Sequence, residues 1–132
     1  MQKIRASEKI YVADSNIAGA GRGVFARSNM QKGETIEVCP VIEVPAGDPS
    51  NAPDGLLITY FYYFGRRKDR ALIVLGFGSI YNHSVLPNAS YKEAGRTQTM
   101  IFTALRDIKQ DEEITVNYNQ NNPDTKMSLW FF

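Results

Sequence analysis

Short runs of β-favouring apolar residues, separated by glycine, proline and polar residues, form the dominant pattern of this chain. The runs predict strands over residues 10–12, 24–26, 35–44, 71–75, 99–105 and 114–118. No run has the length and spacing of a clear amphipathic helix. The pattern therefore predicts a mostly β fold of short strands with little helix.

The segments between these runs have the composition of turns and loops. Gln31-Lys32-Gly33 is typical of a turn, and residues 45–55 hold three prolines, which predicts an exposed loop. The polar residues 106–113 join the last two predicted strands. Periodicity leaves Leu56 to Phe64 open, because the segment fits either a helix or a strand.

Chain length and net charge limit the classes of protein to which this sequence can belong. With 132 residues, 43% of them hydrophobic, the chain is expected to be one globular domain spanning residues 1–132. Its 15 basic and 14 acidic residues give a net charge of +1, which disfavours nucleic-acid binding driven by phosphate neutralisation. The clearest basic patch, Arg66-Arg67-Lys68, is interpreted as part of a solvated loop.

The single cysteine and the short apolar runs of the sequence indicate the cellular compartment in which the protein is expected. The single cysteine, Cys39, cannot form an internal disulfide and is interpreted as a small buried hydrophobe. Residues 1–21 lack the apolar stretch of a signal peptide, and runs such as 71–75 are too short to span a bilayer. We therefore expect a soluble intracellular protein with no membrane partner.

Three separate segments carry residues suited to binding or chemistry. The first, residues 19–25, is rich in glycines that let the backbone approach a ligand. The second, residues 76–84 with Pro87 and Asn88 after it, holds the single histidine. The third, residues 111–119, runs from acidic residues into a predicted strand. Taken singly, these are also typical of a glycine turn, a buried polar turn and a strand edge.

Three common types of site do not fit these segments. One histidine and one cysteine cannot form a zinc site without several carboxylates, so no metal is expected. Ser84 does not lie on a nucleophile elbow, which disfavours a hydrolase. No helical pattern follows the glycine segment, so it is not a dinucleotide-binding fingerprint.

Taken together and in this order, the segments resemble the motifs of SET-domain lysine methyltransferases. The family's GxG motif matches Gly21-Arg22-Gly23, and its Asn-His-Ser motif matches Asn82-His83-Ser84, followed here by Pro87-Asn88. Its Glu-[Leu/Ile]-Thr strand matches Glu113-Ile114-Thr115, which runs on to Tyr118. The resemblance covers residues 17–119, and the Gly-Phe-Gly lead-in at 76–78 is most similar to minimal members, including virus-encoded ones.

Two features depart from the family pattern. The early Tyr-x-Gly element has no counterpart after Gly33, and a tyrosine from residues 60–63 is expected to replace it. The cysteine-rich zinc segment that follows many members is also absent. The tail, residues 120–132, is expected either to close the cofactor site through Trp130 or simply to pack on the core.

The resemblance implies a SET-domain (β-clip-like) fold of several small sheets with a threaded C-terminal segment. It also implies transfer of methyl groups from S-adenosyl-L-methionine to the lysine side-chain amine of a protein substrate, a histone tail or another protein. The alternative is a catalytically inert SET-like module that binds protein tails, against which the retained Asn82, His83 and Tyr118 argue. A nucleic-acid-binding β domain is disfavoured by the charge, and a homodimer is left open by the aromatic tail.

The resemblance also implies roles for individual residues. Backbone groups of Ala20 and Arg22, the Asn82 side chain and the His83 backbone are expected to hold the cofactor. The full cofactor-binding set is Ala20, Gly21, Arg22, Gly23, Asn82, His83, Tyr118 and Trp130. The expected catalytic residues are Tyr118, Tyr62 and Tyr63. If residues 62 and 63 lie in a strand, they face opposite sides and at most one of them lines the channel.

A lysine channel is expected along Gly78, Tyr81, Tyr91 and Val116. The resemblance implies that the carbonyls of Gly78 and Tyr81 point at the transferring methyl. The resemblance also implies that a phenol at one of two positions, here Tyr91 and Val116, limits methylation. Valine cannot supply this group, so Tyr91 alone would do so and mono- or dimethylation is the expected outcome. The alternative for Tyr91 is a surface-strand aromatic without this role.

Overall fold

Nine short strands form two small sheets in the part of the chain that the structure describes. The computed structural model describes residues 3–45, 60–64 and 70–120. The strands are β1 (Ile10–Asp14), β2 (Arg22–Ala26), β3 (Thr35–Val44), β4 (Tyr62–Phe64), β5 (Arg70–Val74), β6 (Asn82–His83), β7 (Ala89–Ala94), β8 (Thr99–Ala104) and β9 (Glu113–Val116). Their orders are β1-β2-β9-β6 and β4-β5-β3-β8-β7. The prediction of a mostly β fold is confirmed.

Strand β3 is the centre of the larger sheet. Residues 35–40 pair with β8, whereas residues 41–44 pair with β5. Pro40 lies at this change of partner, where its missing N–H does least harm to the ladder. Its carbonyl still accepts a hydrogen bond from the backbone N–H of Leu75, at 2.9 Å. The predicted strand over residues 35–44 is confirmed.

The larger sheet is strongly curved, because its two ends meet. Arg70 on β5 forms an ion pair with Glu93 on β7 at 2.8 Å, although β3 and β8 lie between these strands. The rings of Tyr62 on β4 and Tyr91 on β7 are also only 4.9 Å apart. The curved sheet contributes much of the core, including the fully buried Cys39, as predicted for that side chain.

A parallel pair, β6 with β9, positions the polar motifs. Asn82 lies opposite Thr115 and His83 opposite Val116, and the other pairs among the nine described strands are antiparallel. The backbone N–H of Ser84 donates to the carbonyl of Val116 at 2.9 Å and extends the contact. Two segments more than thirty residues apart in sequence therefore lie side by side.

The structure corrects several predicted boundaries. Strands β6 and β7 were not predicted from the sequence. The predicted strand 114–118 ends at Val116, so Tyr118 lies in a turn beyond it. Strand alternation therefore does not relate the side chain of Tyr118 to that of Val116. The segment 56–64 forms a strand at its end, residues 62–64, and residues 46–59, 65–69 and 121–132, including Trp130, lie outside the described part.

Candidate active site

Asn82 joins all three sequence motifs at one buried point. Its amide nitrogen Nδ2 donates to the carbonyl of Arg22 and to the carboxylate of Glu113, each at 2.9 Å. A Cβ built on Gly23 would lie 2.3 Å from Glu113 Oε2 and 3.0 Å from Asn82 Nδ2. Position 23 therefore requires glycine, because any side chain would displace this junction.

The glycine-rich loop before β2 leaves space beside its backbone. Gly19 and Gly21 have φ values of 79° and 75°, in the left-handed region that glycine adopts readily. A Cβ built on either residue would meet no atom of the described residues within 4 Å. The loop is closed by a hydrogen bond from Ser15 N–H to the Gly21 carbonyl, at 2.8 Å. Predicted cofactor residues 20–23 therefore border open space on one side and Asn82 on the other.

His83 links the second motif to the turn that carries Tyr118. Its Nδ1 accepts a hydrogen bond from the backbone N–H of Tyr118 at 3.1 Å. An accepting Nδ1 requires a neutral ring with its proton on Nε2. Burial lowers the pKa of His83, which favours this neutral form further. The imidazole thus fixes the backbone at position 118.

Two phenol groups point at the carbonyls of one turn. The Tyr118 hydroxyl donates to the Tyr81 carbonyl at 2.5 Å, and the Tyr62 hydroxyl donates to the Gly78 carbonyl at 2.7 Å. The two rings are 6.2 Å apart and nearly perpendicular. The structure thus brings together Tyr62, Gly78, Tyr81 and Tyr118 from three separate segments of the chain.

Both phenols keep their protons at neutral pH. Burial raises the pKa of Tyr118, and the nearby Glu113 and Tyr60 raise it further. Burial likewise raises the pKa of Tyr62 well above its ordinary value of 10.0. Neither group is suited to act as a strong base, so their chemistry is hydrogen bonding and positioning.

Tyr62 and Tyr63 face opposite sides of β4. Tyr62 packs in the main core beside Tyr91 and Phe102, whereas Tyr63 packs against a second cluster that contains Val44. The expectation that at most one of the two lines the channel agrees with this geometry, and Tyr62 is the one beside Tyr118. Tyr63 is not brought to the site.

Tyr91 is buried within the same aromatic cluster and is not a surface aromatic. Only 4% of the residue is exposed, and its hydroxyl donates to the carbonyls of Asn117 and Tyr118 at 3.2 and 3.3 Å. Burial raises its pKa. Val116 is fully buried in the core, where it pairs with His83. Tyr91 therefore holds the backbone of the turn that presents Tyr118.

A family model described as the SET domain matches residues 21–119. The chain belongs to the SET-domain family. The matched range contains the three motifs that meet at Asn82 and Tyr118, and it leaves out the tail with Trp130.

Known proteins similar to this SET domain include histone methyltransferases. It is 30% identical over 112 residues, 84% of this chain and 70% of the relative, to "Histone-lysine N-methyltransferase, H3 lysine-37 specific" of Schizosaccharomyces pombe. It is 32% identical to a Plasmodium falciparum protein assigned as a histone methyltransferase, with a TM-score of 0.67 over 89% of this chain and 96% of that one. Family membership and these relatives support protein-lysine methylation as the general activity.

A more distant structure shares the fold alone. A humanized mutant of Polycomb Repressive Complex 2 from Chaetomium thermophilum is 19% identical to this SET domain, with a TM-score of 0.70. The match covers 89% of this chain and 16% of that chain. The SET-domain fold expected from the motifs is thus confirmed.

Sequence reasoning missed Glu37, which holds the turn of the SET domain that carries the two carbonyls. The carboxylate accepts from the Tyr81 hydroxyl at 2.8 Å and from the Phe77 backbone N–H at 2.9 Å, and only 6% of the residue is exposed. A Cβ on Gly76 would lie 2.6 Å from its Oε2. The available signal was an acidic residue between two apolar residues, Ile36 and Val38, near the start of a predicted strand.

Two further polar residues lie within the quoted motifs but had no assigned role. Asn88 is buried and binds the backbone of β9 at two residues. Its Nδ2 donates to the Glu113 carbonyl, and its Oδ1 accepts from Thr115 N–H. Glu113 accepts from Ser15, Asn16 and Asn82. Both residues tie the last strand of the SET domain to segments distant in sequence.

The described ranges of this SET domain lack the features of a metal site and of a membrane-spanning helix. Residues 3–45, 60–64 and 70–120 hold no group of three or more His, Cys, Asp or Glu side chains arranged to bind a metal ion. In the same ranges no helix is long and apolar enough to cross a membrane.

Proposed function

We propose that this SET domain transfers methyl groups from S-adenosyl-L-methionine to a lysine side-chain amine of a protein substrate. The observation that carries the proposal is the convergence of the Tyr118 and Tyr62 hydroxyls on the carbonyls of Tyr81 and Gly78. These two hydroxyls and two carbonyls lie together at the edge of an aromatic cluster. A lysine amine placed there could be oriented by hydrogen bonds. Family membership supports lysine as the acceptor.

The residues beside the glycine loop fit the amino-acid end of this cofactor. Open space borders Gly19 and Gly21, so a ligand can approach the backbone groups of Ala20 and Arg22. Asn82 would contribute its side chain there and His83 its backbone, as the family motifs suggest. Trp130, outside the described residues, remains a proposed contact from the tail. When bound, the cofactor supplies a methyl group on a positively charged sulfonium.

The aromatic cluster would lower the cost of using a neutral lysine. Free lysine has a pKa of about 10.4, so its deprotonation at pH 7 costs roughly 4.6 kcal/mol. A desolvated channel reduces this cost, because burial disfavours the ammonium form. Tyrosine faces also attract cations. Tyr62, Tyr91 and Tyr118 would supply these surfaces.

Tyr118 would orient the amine rather than deprotonate it. Its raised pKa keeps the hydroxyl protonated, and the hydroxyl already points at the Tyr81 carbonyl. The phenol oxygen can accept a hydrogen bond from an amine N–H while its own O–H still donates to the Tyr81 carbonyl. Holding the lone pair in line with the methyl group is a positioning effect, which can lower a barrier by several kcal/mol.

Histone H3 is the first acceptor to test. The relative from Schizosaccharomyces pombe carries the description "H3 lysine-37 specific", and the Plasmodium falciparum relative is also assigned as a histone methyltransferase. We therefore propose a histone tail as the substrate class. Other lysine-bearing proteins would serve as comparison acceptors.

The test is the production of S-adenosylhomocysteine in the presence of histone H3. The parent should form product, Tyr62→Phe should lower turnover, and Tyr63→Phe should not, because Tyr63 faces the second cluster. Asn82→Ala should abolish cofactor binding measured by calorimetry. If the parent protein binds both the cofactor and the histone but forms no S-adenosylhomocysteine, the result would support the inert protein-binding module instead.

A further inference from the structure

Glu113 is a buried carboxylate whose described hydrogen-bond donors are all uncharged. It lies at the start of β9 with 9% of the residue exposed. Its oxygens accept from Ser15 Oγ at 2.8 and 3.0 Å, from Asn16 N–H at 2.9 Å and from Asn82 Nδ2 at 2.9 Å. A carboxylate taken out of water needs such donors, so each of them is held firmly.

These contacts determine which way the Asn82 amide faces. Both protons of Nδ2 are used, one by Glu113 and one by the Arg22 carbonyl. Rotating the amide by half a turn would place its oxygen against the Glu113 carboxylate and the Arg22 carbonyl, both of which only accept hydrogen bonds. The observed orientation is therefore strongly preferred, and Oδ1 is the atom presented away from this pair.

The same carboxylate anchors the loop that precedes the glycines. Ser15 and Asn16 lead directly into residues 17–21, and Ser15 also closes that loop through its hydrogen bond to the Gly21 carbonyl. Glu113 thus holds both the start of the loop that borders the open space and the orientation of the Asn82 amide. No direct contact of Glu113 with a ligand is needed for this effect.

We propose that Glu113 is a positioning residue that holds Asn82 Oδ1 toward the cofactor site and so makes the site selective for a ligand with a cationic amino group. This inference rests on the proposed function, since the α-ammonium of S-adenosyl-L-methionine is the group that an amide oxygen would accept from. Glutamine at position 113 weakens the preference, which then rests on the Arg22 carbonyl alone. Its own amide can donate to Asn82 Oδ1, so the Asn82 amide can then present either its oxygen or its nitrogen to the ligand.

The test compares two ligands that differ only in the amino group. S-adenosylhomocysteine and its desamino analogue, which keeps the adenosine, sulfur and carboxylate, would be titrated by calorimetry into the parent and Glu113→Gln. The parent should prefer the amino ligand by about tenfold or more, the usual effect of a hydrogen bond that involves a charged group. Glu113→Gln should lower this ratio severalfold, because only the Arg22 carbonyl then orients the Asn82 amide.

A purely structural role for Glu113 would give a different result. It would lower the affinity for both ligands alike, or for neither, and an unchanged ratio would overturn the inference. Glu112→Gln is the matched control, because this adjacent carboxylate pairs with the exposed Arg106 and should leave the ratio unchanged. If Glu113→Gln does not fold, Glu113→Asp withdraws the carboxylate by one methylene and should lower the ratio in the same way. A parent that binds neither ligand would refute the proposed function itself.

Discussion

Removing the Glu37 carboxylate should destabilise the protein severely, although the residue touches no proposed substrate. In Glu37→Met, the Phe77 N–H and the Tyr81 hydroxyl lose the acceptor that they share. Each buried donor left without a partner costs about 1–3 kcal/mol, so the expected loss is roughly 2–6 kcal/mol. A domain is stable by about 5–15 kcal/mol in total, and the loss is therefore a large part of it.

A double-mutant cycle with Tyr81→Phe isolates this effect. Urea denaturation followed by circular dichroism would give the free energy of unfolding for the parent, both single variants and the double variant. In the Glu37→Met background, Tyr81→Phe removes an unsatisfied hydroxyl and should cost little, so the coupling energy should be about 1.5–3 kcal/mol. Glu43→Gln, at the exposed end of the same strand, should change stability by less than about 0.5 kcal/mol. Additive effects within about 0.5 kcal/mol would refute the reasoning.

The remaining predictions concern turnover, product and pH. Tyr118→Phe should keep cofactor affinity within about twofold but lower turnover by tenfold to a thousandfold, about 1.4–4 kcal/mol of barrier, and equal turnover in a single-turnover assay would contradict the positioning role. Tyr91→Phe should release the turn at residues 117 and 118 and shift products toward higher methylation states, and intact-mass spectra with an unchanged product ladder would count against it. The pKa of His83 is lowered below its ordinary 6.5, so the folded state binds fewer protons than the unfolded state below that pH. Thermal stability should therefore fall as the pH drops from 7 through about 6.5 toward the lowered pKa. His83→Asn keeps an acceptor for Tyr118 N–H and should lose this slope, whereas an identical slope in both proteins would exclude His83 as its source.

The strands that sequence predicts well are those in which β-favouring apolar residues predominate. Residues 35–44 carry such a signal after a clear turn, and the strand has these bounds. Strand β6 has only two residues, both polar, and it forms because β9 lies beside it. Strand β7 was missed because its buried positions are Ala89 and Tyr91 among polar neighbours. Pairing between distant segments, not local preference, creates these two strands.

The residues of the candidate site likewise fall into those that the sequence indicated and those that it did not. The motifs indicated Asn82, His83 and Tyr118, and these residues do meet with the glycine loop. The roles of Glu37 and Glu113 were not visible, because a buried carboxylate is tolerated only where donors from other segments reach it. Sequence alone shows the acid but not its donors.

The central claim is methyl transfer to lysine, and mass spectrometry of histone peptides tests it most directly. The protein would be incubated with histone H3 and methyl-deuterated S-adenosyl-L-methionine, beside Tyr118→Phe as the matched variant. The account predicts one or two deuterated methyl groups on a lysine side-chain amine with the parent, and far fewer with the variant. The account would be contradicted if the parent protein binds the cofactor but adds no deuterated methyl group to a lysine of any protein tested.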